Sequence, residues 1–174
     1  MAQLAGTYVP STLEWVREQI ALYERTGGRE GSTLRDTGIP VIIVAMRGAK
    51  SGNVRKIALM RVEHAGEYAL VASKGGAPDN PDWYQNLVAH PDEVTVQDGT
   101  EPFFARVRLV EGAEYDVWWQ RAVAVFPQYA IYRVLARLLW RTHHQRGVDA
   151  DKGPHQRRLA GWAVATSRDG GSRN

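Results

Sequence analysis

The chain of 174 residues contains no cysteine, which removes disulfide frameworks, thiolate nucleophiles, Cys-ligated zinc and iron–sulfur clusters at once. That absence is compatible with a reducing cytosol, though it does not require one. Long apolar runs are also missing. The first twenty residues are interrupted by Glu14, Arg17 and Glu18, so neither a secretory leader nor a membrane span is predicted, and a cytoplasmic location is expected. There is no Gly-x-Ser-x-Gly elbow, no pair of catalytic carboxylates and no Gly-x-Gly-x-x-Gly turn, which weakens hydrolase and nicotinamide readings. His143, His144 and His155 have no carboxylates at ligand spacing, and His64 and His90 sit where water reaches them, so no metal is predicted.

Glu is absent after residue 132. Residues 133–174 hold nine Arg/Lys against three Asp, which leaves thirteen basic and sixteen acidic residues upstream, so the two parts carry +6 and −3. The basic excess therefore belongs to the tail, where a solvated, disordered segment competes with an anion-attracting one. Aromatic residues do not interleave with those cations, which disfavours a nucleic-acid module. The length suits one domain with a sizeable core.

Ser11 followed by Glu14 has the form of a capping box, and Leu13, Val16, Ile20 and Tyr23 recur at helical spacing. This predicts a helix over about 12–26, stopped at Gly27-Gly28. Residues 27–38 read as a connector. Pro40 opens the β-branched run 41–46, a buried strand. After a turn at Gly48–Gly52, strands are predicted over 56–62 and 67–73, joined by a hairpin at His64-Ala65-Gly66. A short helix over 82–89, a strand pair at 94–97 and 103–109, and a helix over 112–126 follow. The result is a mainly β, α+β domain with five or six mostly antiparallel strands and helical covers, a small β-barrel.

Two turns stand out chemically. Gly48-Ala49-Lys50-Ser51-Gly52, with Arg55 just beyond, and Val71-Ala72-Ser73-Lys74-Gly75-Gly76 each end a strand with hydroxyl, ammonium and backbone N–H groups. Such a set suits a phosphate or carboxylate: Arg forks onto it, Lys adds a point charge, and glycine lets the backbone approach. Each turn alone also reads as an ordinary surface turn. Trp83 and Tyr84 can wall a flat ligand or simply cover a barrel mouth. Tyr129 and Tyr132, after Phe126-Pro127, can donate a proton or merely line an amphipathic helix.

These residues resemble the deazaflavin-dependent nitroreductase family, actinobacterial reductases that use reduced coenzyme F420 on an FMN-binding split β-barrel-like fold. The matching pieces are Gly48–Gly52 with Arg55, Ala72-Ser73-Lys74-Gly75-Gly76, Asn80-Pro81-x-Trp83-Tyr84-x-Asn86-Leu87, and Phe126-Pro127-x-Tyr129-x-x-Tyr132. They span about 38–132, and the second and third together are the specific part. The resemblance implies that Ala49, Lys50, Ser51, Arg55, Ala58, Leu59 and Met60 contact the coenzyme's phosphate, oligoglutamate tail and deazaflavin edge. Val71, Ala72, Ser73, Lys74 and Gly75 complete that cradle, and Trp83, Tyr84 and Asn86 line the other side. Tyr129 and Tyr132 correspond to the family's pocket tyrosines, while Phe126 stands where some members have a third. The implied reaction is hydride transfer from reduced F420 to a quinone, enone or nitroaromatic, with no metal. A coenzyme-binding protein of impaired activity and an FMN-binding split-barrel relative remain the alternatives, and a homodimer is expected by analogy.

After Tyr132 the chain departs from the family, which continues with a Thr-Asp-Arg-like turn and an Ile-Pro-Val-type strand. Here Arg133, Arg137 and Arg141 alternate with Leu135, Leu138 and Leu139 as a basic amphipathic helix suited to peripheral contact with an anionic membrane. The division expected is thus 1–37, helix and connector; 38–132, coenzyme-binding core; and 133–174, basic helix and disordered tail. Loss of the closing strand is expected to leave one sheet edge open.

Overall fold

Residues 41–47 supply an interior strand of the sheet because six successive apolar side chains leave neither face suited to water. The computed structural model describes residues 1–77 and 79–131, and the backbone of 161–167. Helix α1 (Glu14–Thr26) leads into strands β1 (Val41–Arg47), β2 (Val54–Met60), β3 (Glu63–His64) and β4 (Glu67–Ala72). Helix α2 (Asp82–Ala89), strands β5 (Val94–Gln97) and β6 (Pro102–Leu109), helix α3 (Gly112–Val125) and strand β7 (Gly161–Ser167) complete it. The seven strands form one antiparallel sheet in the order β2-β1-β5-β6-β7-β4-β3. The architecture is therefore mainly antiparallel sheet with helices, as expected.

That order begins on β2 and ends on β3, which only two residues separate in the chain, so the sheet must curl. Ala69 N–H donates to Val62 O at 2.8 Å, which extends the β3–β4 ladder by one rung towards β2. The curl encloses Ile42, Val44 and Met46 of β1 with Val94 and Val96 of β5, Val107 of β6, Leu70 of β4 and Leu87 of α2. Strand alternation turns Val41 and Ile43 outward, where Val16, Ile20 and Tyr23 of α1 cover them. On another outer face Ala69 and Val71 meet Trp118 and Ala122 of α3, with Phe126 and Tyr129 beyond it.

Three expectations are corrected. Helix α1 has Leu13 at its N-cap with no side-chain cap, and Ser11 Oγ instead accepts from Leu13 N–H at 3.2 Å; its C-terminus at Gly27, in the left-handed region at φ 61°, is as read. Strand β2 starts at Val54 rather than Lys56, because the N-terminal segment holds it: Val54 N–H donates to Thr7 O, and Val9 N–H to Val54 O. The predicted hairpin around His64–Gly66 joins only the two-residue β3 to β4, while β2 pairs with β1.

The open edge expected after residue 132 is filled. Strand β7 pairs with β4, Ala72 opposite Gly161, and with β6, Leu109 opposite Ala163. The predicted basic helix at 133–141 lies outside the described residues. No helix among the described residues is long and apolar enough to cross a membrane.

At the far end of β4 the buried Tyr68 donates its hydroxyl proton to Asp98 Oδ2 at 3.0 Å, and Arg61 Nε reaches the same oxygen at 2.7 Å. Burial, then the bond to Asp98 and its charge, push the Tyr68 phenol up to about 12. Its proton is thus held more tightly in the folded chain than in the unfolded one, where it leaves near 10. The stabilisation is complete below pH 10 and drains away as pH rises towards 12. Urea titrations of the wild type and Tyr68→Phe should show a loss of stability over that window that is smaller in the variant; equal losses would assign it to other groups.

Candidate functional site

The Gly48–Gly52 turn closes β1 onto β2 tightly. Gly48 N–H donates to Asn53 O at 2.8 Å and Gly52 N–H to Gly48 O at 2.9 Å. A Cβ at Gly48 would lie 3.0 Å from Ser51 Oγ and 3.1 Å from Asn53 O, so only glycine closes the turn unstrained. Ser51 Oγ accepts from Asn53 N–H at 3.3 Å, which orients the hydroxyl. Lys50 and Ser51 are exposed.

Arg47, which sequence reasoning missed, organises this turn from below. Its guanidinium donates to Gly52 O at 2.7 Å and Ala5 O at 3.0 Å and pairs with Glu93 at the start of β5. Its planar fork suits several acceptors at once. The available signal was a charged residue closing an otherwise apolar strand, directly before the glycine.

The second turn leaves β4. Ser73 is right-handed helical (φ −80°, ψ −29°), whereas Lys74 and Gly75 lie at φ 42° and 65°. A right-handed residue followed by left-handed ones points successive N–H groups into one concavity, the backbone nest that holds anions. Left-handed backbone is ordinary for Gly75 but uncommon for a long side chain such as Lys74, and such outliers gather where a ligand is held.

Strand registers bring the two turns to one end of the sheet. Met46 stands opposite Val94 and Val94 opposite Ala105. From Ala105, β6 runs on in the direction of the Gly48 turn to Leu109, opposite Ala163, and Gly161 lies opposite Ala72. Helix α2 then bridges this end: Asn86 Oδ1 accepts from Ala49 N–H at 2.9 Å. That bond takes up the Ala49 amide, which the sequence reading offered to a ligand. Substituting Asn86→Leu should lower the melting temperature by a few degrees, from the loss of about 1 kcal/mol. It should also weaken anion binding at the turn several-fold, as calorimetry with a phosphate ester would show; unchanged affinity would mean that the tie does not shape the turn.

The remaining predicted residues divide between the faces. Leu59 and the half-buried Trp83 pack on the enclosed core with Leu87, so Trp83 is a wall of that core. Met60 packs with Val71, Phe126 and Tyr129 under α3, and Tyr129 is 4 % exposed with its ring edge-on to Phe126 at 5.0 Å. Ala58 faces α1. Arg55 Nη1 donates to Val9 O at 3.4 Å, tying it to the N-terminal segment. Tyr84 is half-buried on α2. Ala72 is buried at the end of β4. Tyr132 lies outside the described residues. Among the described residues no three His, Asp or Glu side chains gather as a metal site.

Two turns rich in backbone N–H, hydroxyl and ammonium groups thus lie at one sheet end beside apolar and aromatic surface, an arrangement that would suit a phosphorylated cofactor with a flat ring. Comparison with known proteins shows the family. Residues 15–137 match the profile of the F420H(2)-dependent quinone reductase family. An F420H(2)-dependent quinone reductase of Mycobacterium tuberculosis (strain H37Rv) is 33% identical over 110 residues, 62% of this chain and 72% of that one. A solved F420-H2 dependent reductase, FDR-A, is 38% identical with a TM-score of 0.57, covering 72% of this chain and 93% of its own. Another solved structure, described as a domain-swapped dimer, is 36% identical with a TM-score of 0.57 over 89% of this chain and 99% of its own. With the profile covering most of its length, the chain belongs to the F420H(2)-dependent quinone reductase family, a family of oxidoreductases.

Proposed function

We propose that the protein binds coenzyme F420 at the end of the sheet shared by the Gly48–Gly52 and Ser73–Gly75 turns and reduces a quinone with it. The observation that carries this reading is the backbone nest at Ser73–Gly75 on the same sheet end as the Lys50–Ser51 turn. Lys50, Arg55 and Lys74 would hold the phosphate and the acidic tail, since both are anions and these cations stand beside exposed N–H groups. Leu59 and Trp83, on the side of the enclosed core, and Tyr84 would bound the flat ring, while Met60 and Val71 would back it from under α3. When bound, the reduced deazaflavin supplies a hydride.

The chain's own part is to orient and to exclude water. Apolar side chains on both sides of the ring leave little room for solvent, and a fixed approach of two flat rings replaces a bimolecular encounter. As the acceptor takes up the hydride, negative charge develops on its oxygen. The Tyr129 hydroxyl is our candidate to supply the balancing proton from Oη, and Tyr132 is its candidate neighbour. Enones and nitroaromatics share the electrophilic conjugated carbon of a quinone and are proposed as further acceptors. The split-barrel form of the fold is supported by the way β2 and β3 bring the ends of the sheet together. A homodimer is supported by the related structure described as a domain-swapped dimer.

Fluorescence titration with oxidised F420 beside flavin mononucleotide tests the cofactor, and turnover of menadione with reduced F420 tests the reaction. Saturable binding of the deazaflavin alone, with turnover, is expected. Binding without turnover would point to a coenzyme-binding protein of impaired activity, and preference for the flavin to an FMN-binding relative. A folded protein that binds neither would sink the reading.

A further inference from the structure

On the opposite face of β2-β1-β5 from the enclosed core lies a cavity of about 280 Å³, roofed by the N-terminal segment and flanked by Glu24 of α1. None of the residues assigned above to the coenzyme lines it. Its floor is apolar, with Ile43, Ala45 and Val54 from adjacent strands. Thr95 and Gln97 of β5, 5 % and 6 % exposed, also face it. Gln97 Nε2 donates to Gly99 O at 3.0 Å and Thr100 O at 3.4 Å, which fixes the amide and leaves Oε1 as an acceptor. The Thr95 hydroxyl has no hydrogen-bond partner among the described residues. A buried hydroxyl without a partner is costly, and such groups are normally satisfied by water or a ligand.

The charge at the wall cancels. Lys56 Nζ sits 2.7 and 2.9 Å from the two carboxylate oxygens of Glu24 and 4.6 Å over the Tyr8 ring. Met1, at the rim, is 93 % exposed. Water screens the Met1 ammonium at that rim, so an ionised ligand seated on the floor would meet no uncompensated opposite charge and would lose its hydration.

We propose that this cavity binds a neutral, flat molecule of one or two rings bearing a hydroxyl or carbonyl group. Two residues apart on one strand face, Thr95 and Gln97 lie about 7 Å apart, a spacing of ring dimensions. A ligand oxygen accepts from Thr95 Oγ1, and a second hydroxyl, on a ligand that has one, donates to Gln97 Oε1. The rings lie on Ile43, Ala45 and Val54. A cavity of about 150 Å³ holds benzene, so this one has room for a bicyclic molecule. The site is independent of the coenzyme cradle and does not rest on the function proposed above.

The test is a methyl-resolved NMR titration of the full chain, without coenzyme, using 2-naphthol, naphthalene and 2-naphthoate. Saturable shifts at Ile43, Ala45, Val54 and Thr95 are expected with 2-naphthol. Naphthalene should bind about five-fold more weakly, for want of a hydrogen bond, and the anionic naphthoate more than ten-fold more weakly. Thr95→Val, nearly isosteric, should weaken 2-naphthol about five-fold and leave naphthalene unchanged. Ala45→Leu should fill the floor and abolish both. No saturable shift at these methyls in folded protein overturns the proposal. So do shifts centred on Leu59 and Leu87 instead, or equal affinity of Thr95→Val for 2-naphthol. Titrating F420 into the same variants separates this outcome from failure of the cofactor reading, since neither substitution touches that cradle.

Discussion

A chain ending at Ile131 should fail to form the native sheet. Strand β7 is not an edge: it lies between β6 and β4, with Ala105–Leu109 on one side and Glu67–Ala72 on the other. Removing it breaks on the order of ten inter-strand hydrogen bonds, and each contributes about 1 kcal/mol net. That sum is comparable with the entire stability of a domain, about 5–15 kcal/mol. It also separates the β2-β1-β5-β6 portion from β4-β3, so the nest at Ser73–Gly75 would lose its fixed relation to the Lys50 turn. Far-UV circular dichroism and thermal melts of the truncated and full chains decide the matter. Loss of the cooperative transition and of coenzyme binding is expected. A truncated protein that melts cooperatively at the wild-type temperature would show that β7 does not support the sheet.

Replacing both Lys50 and Lys74 with alanine should weaken F420 binding by about 100-fold or more while leaving the melting temperature unchanged. Both side chains are exposed and have no ion-pair partner among the described residues, so their loss costs the folded state little. Each charge-assisted hydrogen bond to a phosphate or carboxylate contributes about 1.5–3 kcal/mol, or some tenfold to a hundredfold in affinity. The salt dependence should flatten too, because fewer screened attractions remain. Titrations at low and high salt measure both effects. Unchanged affinity in the natively melting double variant would place the coenzyme elsewhere on the molecule.

The elements most legible in the sequence are those whose causes are local. The apolar run at 41–46, the Asn80-Pro81 start of α2, the strand 94–97 and the periodicity of 112–126 each state their own structure, because burial selects residues at periods of two or 3.6. Gly27 ended α1 for an equally local reason. The two glycine-containing turns were legible as residue types, and their common sheet end could be inferred only from strands that had yet to be paired. Ser11 misled because a capping motif offers a bond that the chain need not accept, and Leu13 took the position.

The sequence by itself determined a cysteine-free, mainly β domain, the residue types of its two turns, and the family motifs at Lys50, Ser73–Gly75, Trp83–Tyr84 and Tyr129. Tertiary structure alone decided that β2 pairs with β1 and starts at Val54, and that β7 enters between β6 and β4. It likewise decided that Asn86 locks Ala49, that Arg47 braces the turn, and that Tyr129 is buried against Phe126. The physical reason is separation along the chain: strand pairing and side-chain ties such as Arg47 with Glu93 join residues tens of positions apart. Their free energy depends on where the sheet curls, which no local window of sequence contains.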